Sequence, residues 1–110
     1  MMTLEETREA FAKKNPELEV SLWNADGIKR LIFTDKDDHS LTLRFNDDMQ
    51  VDGVFYKDNA YEREEAVEVH DREQLPLCVR EEMSGILNYA LGCETEMRYE
   101  NADKEYEYDR

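Results

Sequence analysis

The first hydrophobic positions in the chain recur with the period of a helix. Leu4 and Phe11 are seven residues apart and share one helical face, while charged residues occupy another. Residues 3–6, Thr-Leu-Glu-Glu, fit the S/T-x-x-E capping box, in which the first and last side chains each bond a free backbone N–H. Pro16 disfavours helix in the residue before it. The pattern therefore predicts a helix over residues 4–14 that lies on a sheet.

From residue 17 onward the hydrophobic period changes to two, which is the period of a strand. Runs of alternating residues, separated by turns such as Asn24–Gly27 and Asn46–Asp48, predict a four-stranded antiparallel meander. The predicted strands cover residues 18–23, 28–33, 40–45 and 50–56. Gly53 indicates a bulge in the last strand, and Asp52 beside it is expected to point away from the core.

Residues 61–69 are ambiguous between strand and helix. A strand would turn Tyr61 inward together with Val67 and Val69. It would also form an outward acidic row of Glu62, Glu64 and Glu68. The β-branched residues at alternate positions near the end of this segment favour a strand in its C-terminal half.

The second helix has the strongest hydrophobic pattern in the chain. Its apolar residues follow the i, i+3, i+4, i+7 spacing: Val79, Met83, Ile86, Leu87, Ala90 and Leu91. Pro76 is compatible with its first turn, and Gly92 is expected to end it. Gly85 lies inside this helix, where glycine costs about 1 kcal/mol relative to alanine, and close packing on the sheet would explain it.

These elements predict a single α+β domain over residues 1–110. It has an N-terminal helix, an antiparallel sheet of four to five strands, and a C-terminal helix packed on the sheet. Residues 97–99 are expected to add a short strand. Residues 101–110 alternate charge with tyrosine, which leaves open a flexible tail or a docking segment.

Composition adds a strong charge imbalance to this fold. The chain has 28 acidic and 14 basic residues, for a formal net charge of −14, and 40% of its residues are apolar. The apolar content is too high for a wholly disordered acidic chain. No apolar run is long enough to cross a bilayer and no signal peptide is visible, so we expect a soluble, cytoplasmic protein. Its field would repel nucleic acid and anionic membranes and attract a basic protein.

Several residue groups are candidates for catalysis or metal binding, and none fits. Cys78 and Cys93 lie about 20 Å apart on the predicted helix, so we expect two free, reduced thiols. Cys78 is expected to be a buried, inert thiol, although a nucleophilic Cys78 aided by His39 or His70 stays as a third hypothesis. Residues 35–46 begin like a calcium loop but lack its glycine and its final glutamate, so a solvated turn is expected. The sequence predicts no enzyme, no cofactor and no metal.

The acidic surface itself is the remaining candidate site. Side chains two apart on a strand are about 6.6 Å apart, which is close to the phosphate spacing along one DNA strand. Tyrosines lie among these acids, and tyrosine is enriched at protein interfaces. The predicted partner-binding residues are Asp47, Asp48, Asp52, Asp58, Glu62, Glu64, Glu65, Glu68, Tyr56, Tyr61 and Tyr106.

In size, charge and α/β build, the chain is similar in character to the small acidic inhibitors of phages and mobile elements. These include anti-CRISPR, anti-restriction and nuclease immunity proteins, and the similarity implies a DNA-mimicking inhibitor of a nucleic-acid-binding protein or nuclease. It is carried by acid-rich segments such as 35–38 and 62–68, not by a specific motif. The alternative is a non-catalytic assembly or scaffold protein whose acidity serves solubility.

Overall fold

The computed structural model describes residues 2–61 and 65–92, in which the predicted order of elements is confirmed. A 3₁₀ turn at Arg72–Gln74 precedes the C-terminal helices. The helices and strands are α1 (Leu4–Lys14), β1 (Glu19–Ala25), β2 (Ile28–Thr34), β3 (His39–Phe45), β4 (Val51–Asp58), β5 (Val67–Glu68), α2 (Leu77–Glu82) and α3 (Ser84–Leu91). The described residues form one α+β domain with an antiparallel sheet in the order β1-β2-β3-β4-β5.

Helix α1 begins at the predicted capping box. The Thr3 hydroxyl accepts from the Glu6 N–H at 3.1 Å, and the Glu6 carboxylate accepts from the Thr3 N–H at 3.0 Å. Phe11 contacts Phe33 of β2 edge to face, with ring centroids 5.3 Å apart. Arg8 donates from Nε to the Val20 carbonyl at 3.0 Å, which ties the helix to strand β1.

The sheet is a meander whose turns and bulge follow from particular residues. Asp26 and Gly27 both have positive φ, 55° and 76°, as a two-residue hairpin turn of the primed type requires. In β4, Gly53 pairs with Arg44 while Val51 pairs with Phe45, so Asp52 is the extra residue of a bulge. A Cβ at Gly53 would lie 3.0 Å from the Arg44 guanidinium and 2.9 Å from the Phe55 ring. Glycine therefore leaves room for these two side chains.

The hydrophobic core lies between one face of the sheet and the helices. Strand residues that alternate toward the helices are buried, for example Leu31, Phe33 and Leu43. The opposite face, here called the open face, has no described helix packed on it. Its residues are Glu19, Ser21, Trp23, Ala25, Ile28, Arg30, Ile32, Thr34, Ser40, Thr42, Arg44, Gly53, Phe55, Lys57 and Glu68.

The segment after β4 differs in part from its prediction. Residues 67–68 do form a strand, and Val69 is buried as expected, at 3% exposed. Val67 faces the helix side as predicted, because it pairs with Tyr56, but its side chain is 51% exposed. The inward position predicted for Tyr61 is wrong, since its side chain is 66% exposed. Tyr61 lies in the turn after β4, where its N–H bonds the Asp58 carbonyl. Strand β5 has only two residues and lies at the edge of the sheet.

The predicted single C-terminal helix is instead two helices joined at Met83. Met83 has φ −109° and ψ 24°, and the Ser84-Gly85 pair that follows is a common site of helix kinks. The predicted apolar face is confirmed, because Val79, Met83, Ile86 and Leu87 are each at most 1% exposed. Close packing at Gly85 is not found, since a Cβ there would meet nothing within 4 Å. Pro76 precedes α2 as its N-cap residue, and Gly92 ends α3 with φ 88°.

The prediction that Cys78 is buried is wrong, because the structure shows this thiol exposed and free. One residue along a helix turns the side chain by about 100°, so the buried Val79 places Cys78 away from the core. Cys93, the strand at 97–99 and the tail at 101–110 lie outside the described residues. Within those residues, no helix is both long enough and apolar enough to span a membrane.

Candidate functional site

The turns β2–β3 and β3–β4 are built alike around an Asp or Asn side chain. Asp35 Oδ1 accepts from the N–H groups of Asp37 and His39, at 2.9 and 2.8 Å. Asn46 Oδ1 accepts from the N–H groups two and four residues later at 2.9 and 3.0 Å. The fourth residue of each turn, Asp38 or Met49, has positive φ. Asp35 and Asn46 therefore stabilise their turns through the same pair of hydrogen bonds from backbone N–H groups to the side-chain oxygen.

The predicted acidic residues lie at two opposite ends of the sheet. Asp47 and Asp48 lie in the β3–β4 turn, and Asp52 follows at the start of β4. Asp58 ends the same strand, six residues later, which corresponds to about 20 Å along β4. Glu65 precedes β5 and lies at the Asp58 end, because β5 pairs with β4 through Val67 and Tyr56. The predicted contact residues thus do not form one continuous patch.

At the β3–β4 end, two of the three acids have a cation nearby. Asp52 accepts from Arg44 Nε at 2.8 Å, and the Arg44 guanidinium lies 5.3 Å from the centroid of the Phe55 ring. Asp47 lies 4.0 Å from Lys29 Nζ, with its own side chain fully exposed. These cations reduce the local charge, so this end is a weaker anion array than the sequence suggested.

At the other end of the sheet, carboxylates outnumber cations. This acidic end consists of Glu17, Asp37, Asp38, Asp58 and Glu65, which flank the starts of β1, β3 and β5 and the ends of β2 and β4. All of these carboxylates are exposed except the half-buried Asp58. Within the described part of the chain, no lysine or arginine nitrogen comes within 4.0 Å of these five carboxylates. The excess negative charge is therefore greatest on this side of the sheet.

The acidic end is held together by hydrogen bonds between two turns. Asn59 donates from its backbone N–H to the Asp38 carbonyl at 2.9 Å, and from Nδ2 to Ser40 Oγ at 3.1 Å. The Asp58 carboxylate accepts from the Ala60 N–H at 3.0 Å. These bonds fix the positions of Asp38 and Asp58 relative to one another.

His39 lies beneath the acidic end, between two carboxylates. Its Nδ1 is 2.8 Å from Asp35 Oδ2, and its Nε2 is 3.9 Å from Asp58 Oδ2. Burial lowers the pKa of His39, but the hydrogen bond and charge of Asp35, with smaller contributions from Asp58 and Asp37, more than offset this effect. The pKa of His39 is therefore raised above its usual value. Protonation of His39 would reduce the negative charge of this end.

Asp35 is buried, which the sequence did not predict. It is 7% exposed, whereas the segment was expected to be a solvated turn. Burial raises the pKa of Asp35, but the His39 N–H, the His39 imidazole and the Asp37 N–H offset this and hold the pKa below its usual value. Oxygen and nitrogen atoms of Asp35, Asp37 and His39 lie within 4.8 Å of one another, as a metal site would need. Both Asp35 oxygens already accept hydrogen bonds, which accounts for the cluster without an ion.

The remaining predicted site residues occupy different surroundings. Tyr61 is exposed beside the acidic end, where an interface residue would be useful. Tyr56 is half-buried on the helix side and stacks with the His39 ring at a centroid distance of 6.2 Å. Glu68 lies on the open face, 3.7 Å from the His70 imidazole. Glu62, Glu64 and Tyr106 lie outside the described residues.

Comparison of the chain with protein-family models, with curated proteins and with solved structures finds no match. Function is therefore inferred from the charges and geometry of the chain itself. Sequence reasoning identified the acids but did not predict the Asp35–His39 pair, because Asp35 was considered only as the start of a rejected calcium loop and His39 only as an aid to Cys78. The shared position of Asp35 and Asn46 at the start of two similar turns was a visible signal.

Proposed function

We propose that this protein is a non-catalytic inhibitor that binds a basic protein through its acidic end and imitates nucleic-acid phosphates there. The partner class is a nucleic-acid-binding protein or nuclease, whose cationic groove would otherwise hold a phosphate backbone. The observation that supports this most directly is the set of five carboxylates, four of them exposed, that have no lysine or arginine partner among the described residues at one end of the sheet. A net charge of −14 would also accelerate encounter with a basic partner.

Preorganisation of the carboxylates supports a binding role over simple solubility. Solubility needs net charge but no fixed arrangement of it, whereas recognition is favoured when the charged groups are already in place. The bonds from Asn59 and Ala60 hold Asp38 and Asp58 in fixed turns. Exposed Tyr61 adds a residue type that often contributes much of the energy at an interface.

The test is a pull-down from host lysate at low and high salt, followed by affinity measurement with the captured protein. The triple variant Asp37→Asn, Asp38→Asn, Glu65→Gln removes three charges from the acidic end. We expect at least tenfold weaker binding and a smaller salt dependence, because association between complementary charges is slowed when they are removed. DNA or RNA should compete with the wild-type protein for the same partner.

A matched control removes three charges from the opposite end of the sheet. The variant Asp26→Asn, Asp47→Asn, Asp48→Asn has the same net charge as the first triple variant, and asparagine tolerates the positive φ of Asp26 and Asp38. We expect it to weaken binding much less. Equal effects of the two variants would mean that net charge alone acts. No effect of either, with no competition by nucleic acid, would favour the scaffold alternative.

A further inference from the structure

The open face is formally neutral in a strongly acidic protein. It has three cations, Arg30, Arg44 and Lys57, and two anions, Glu19 and Glu68. Asp52 in the adjoining bulge is a third anion, so the formal charges cancel. Trp23 is 51% exposed at one side of this face, and Ile32 and Phe55 are partly exposed within it. Repulsion between two copies of the chain would be smallest here.

One row of side chains across the open face has opposite charges at its two ends. Strand pairing places Glu19 beside Thr34, Thr34 beside Ser40, and Ser40 beside Lys57. Consider a two-fold axis that is parallel to the strands and lies over the face between β2 and β3. It would place the sheet of a second copy against this face, with the order of residues in the row reversed. Glu19 of one copy would then face Lys57 of the other, and this contact would form twice.

The same axis matches the other two rows by size. The middle row runs Ser21, Ile32, Thr42, Phe55, so that the small Ser21 would face the large Phe55 of the second copy. The third row runs Trp23, Arg30, Arg44, Gly53, and it would set Trp23 over Gly53 and the Arg44 guanidinium beside it. An indole ring over a guanidinium is a favourable cation–π arrangement.

We propose that the open face binds a second copy of this chain, sheet against sheet, about this two-fold axis. The charge pairing at the ends of the first row and the size pairing in the other two rows support the second copy as the occupant. The axis also sets Arg30 against Arg44 of the second copy, and Asp52, which accepts from Arg44 at 2.8 Å, partly offsets these like charges. Because the axis runs along the strands, it places the acidic ends of the two copies at the same edge of the interface, where their mutual repulsion weakens the dimer.

The predicted dimer is weak and depends on concentration. Four strands at about 4.8 Å spacing, over about 20 Å of their length, offer about 400 Å² of sheet face per copy, below the roughly 800 Å² of a standard interface. Two chains of charge −14 also repel each other. Salt screens that repulsion, so dimerisation should strengthen as salt rises, whereas binding of a basic partner should weaken. The two proposals therefore fail independently.

Sedimentation velocity over a range of protein and salt concentrations tests the dimer, with Trp23 emission as a second readout. Trp23 is the single tryptophan of the chain, so its emission should shift to the blue as the mass rises from 13.1 kDa toward twice that value. A protein that stays at 13.1 kDa at all concentrations and at high salt would overturn the proposal. Quenching of Trp23 emission by an oligonucleotide while the chain remains monomeric would also overturn the proposal, because the open face would then bind nucleic acid instead of a second copy.

A charge exchange tests the orientation. Lys57→Glu and Glu19→Lys should each weaken self-association at least tenfold, since each sets like charges face to face. A mixture of the two variants should recover a dimer. In that mixed dimer, Glu19 of the first variant meets Lys57 of the second, and the introduced glutamate meets the introduced lysine. Failure of the mixture to associate would exclude this axis.

Two further variants control for charge and for the tryptophan contact. Lys36→Glu in the exposed β2–β3 turn makes the same charge change as Lys57→Glu and should leave dimerisation within twofold. Trp23→Ser, which needs no charge change, should dissociate the dimer. Equal weakening by Lys36→Glu and Lys57→Glu would mean that net charge, not the pairing of the rows, controls association, and would overturn the proposed contact.

Discussion

At the scale of single residues, Asp35 combines two tasks that can be separated chemically. Its Oδ1 shapes the β2–β3 turn, as the amide oxygen of Asn46 does in the next turn. Its Oδ2 holds the His39 imidazole at 2.8 Å. Only the second task needs a negative charge, so an amide at position 35 should preserve the turn and remove the charge beside His39.

Asp35→Asn should lower the pKa of His39 from its raised value, because the principal opposing charge is lost. In the wild-type protein the pKa of His39 lies above its usual 6.5, so the ion pair contributes stability that is fully present below about pH 6.5. That contribution is lost as the pH rises through the folded pKa. NMR titration of the His39 ring and denaturant melts from pH 6 to 9 measure both effects.

Asn46→Asp is the reciprocal control, because it adds a carboxylate to the other turn, where no histidine follows. It should leave the His39 titration unchanged. If Asp35→Asn leaves the His39 pKa where it is in the wild type, the raised value has another origin. If the variant loses the turn as well, the two tasks of Asp35 cannot be separated.

At the scale of elements, the sequence predicted those features that depend on which residues avoid water. The stripe from Val79 to Leu87 and the alternation in β1 to β4 were recognised because burial imposes a period on each. The kink at Met83 was not recognised, because a helix can bend at Ser84-Gly85 without any change in the period. Tyr61 is exposed because it lies in the turn after β4, and the alternation pattern did not show that the strand ends at Asp58.

Ile86→Ala should destabilise the protein by about 2–5 kcal/mol, because Ile86 is completely buried and its truncation leaves a cavity. The free energy of unfolding from denaturant melts measures this loss. Gly85→Ala is the matched change one residue earlier, and it should stabilise by about 0.5–1 kcal/mol, because the added methyl meets open space. A loss below about 0.5 kcal/mol for Ile86→Ala would mean that the buried helix face is wrongly assigned.

At the scale of the whole molecule, composition established that the protein's electrostatic field is negative, but not how the charge is distributed over the surface. The alternation of residues made Lys29 and Arg44 candidate cross-strand partners for the acids, but it did not indicate that these cations lie at one end of the sheet while the other end lacks such partners. That difference arises from strand register, which brings Arg44 beside the bulge at Asp52. The neutral open face has the same origin, since single cations on different strands become neighbours only when the strands pair.

Stability should rise with ionic strength because a compact chain of net charge −14 repels itself more than its unfolded form does. Salt at about 0.5 M shortens the Debye length from about 8 Å at physiological strength and screens this repulsion. Thermal melts in sodium chloride should show a higher midpoint than melts in dilute buffer. An unchanged midpoint would indicate that specific ion pairs, which salt weakens, balance the repulsion.

The contact between Arg8 and the Val20 carbonyl has a consequence for aggregation. An exposed edge of a sheet can template the addition of a strand from another molecule. In the described residues, one edge of the sheet is β5, which is only two residues long. The other is β1, where the Arg8 side chain already occupies the outward carbonyl of Val20 and sets a cation against the strand. Growth of fibrils from the native sheet is thereby disfavoured at both edges, even in salt that screens the repulsion between molecules.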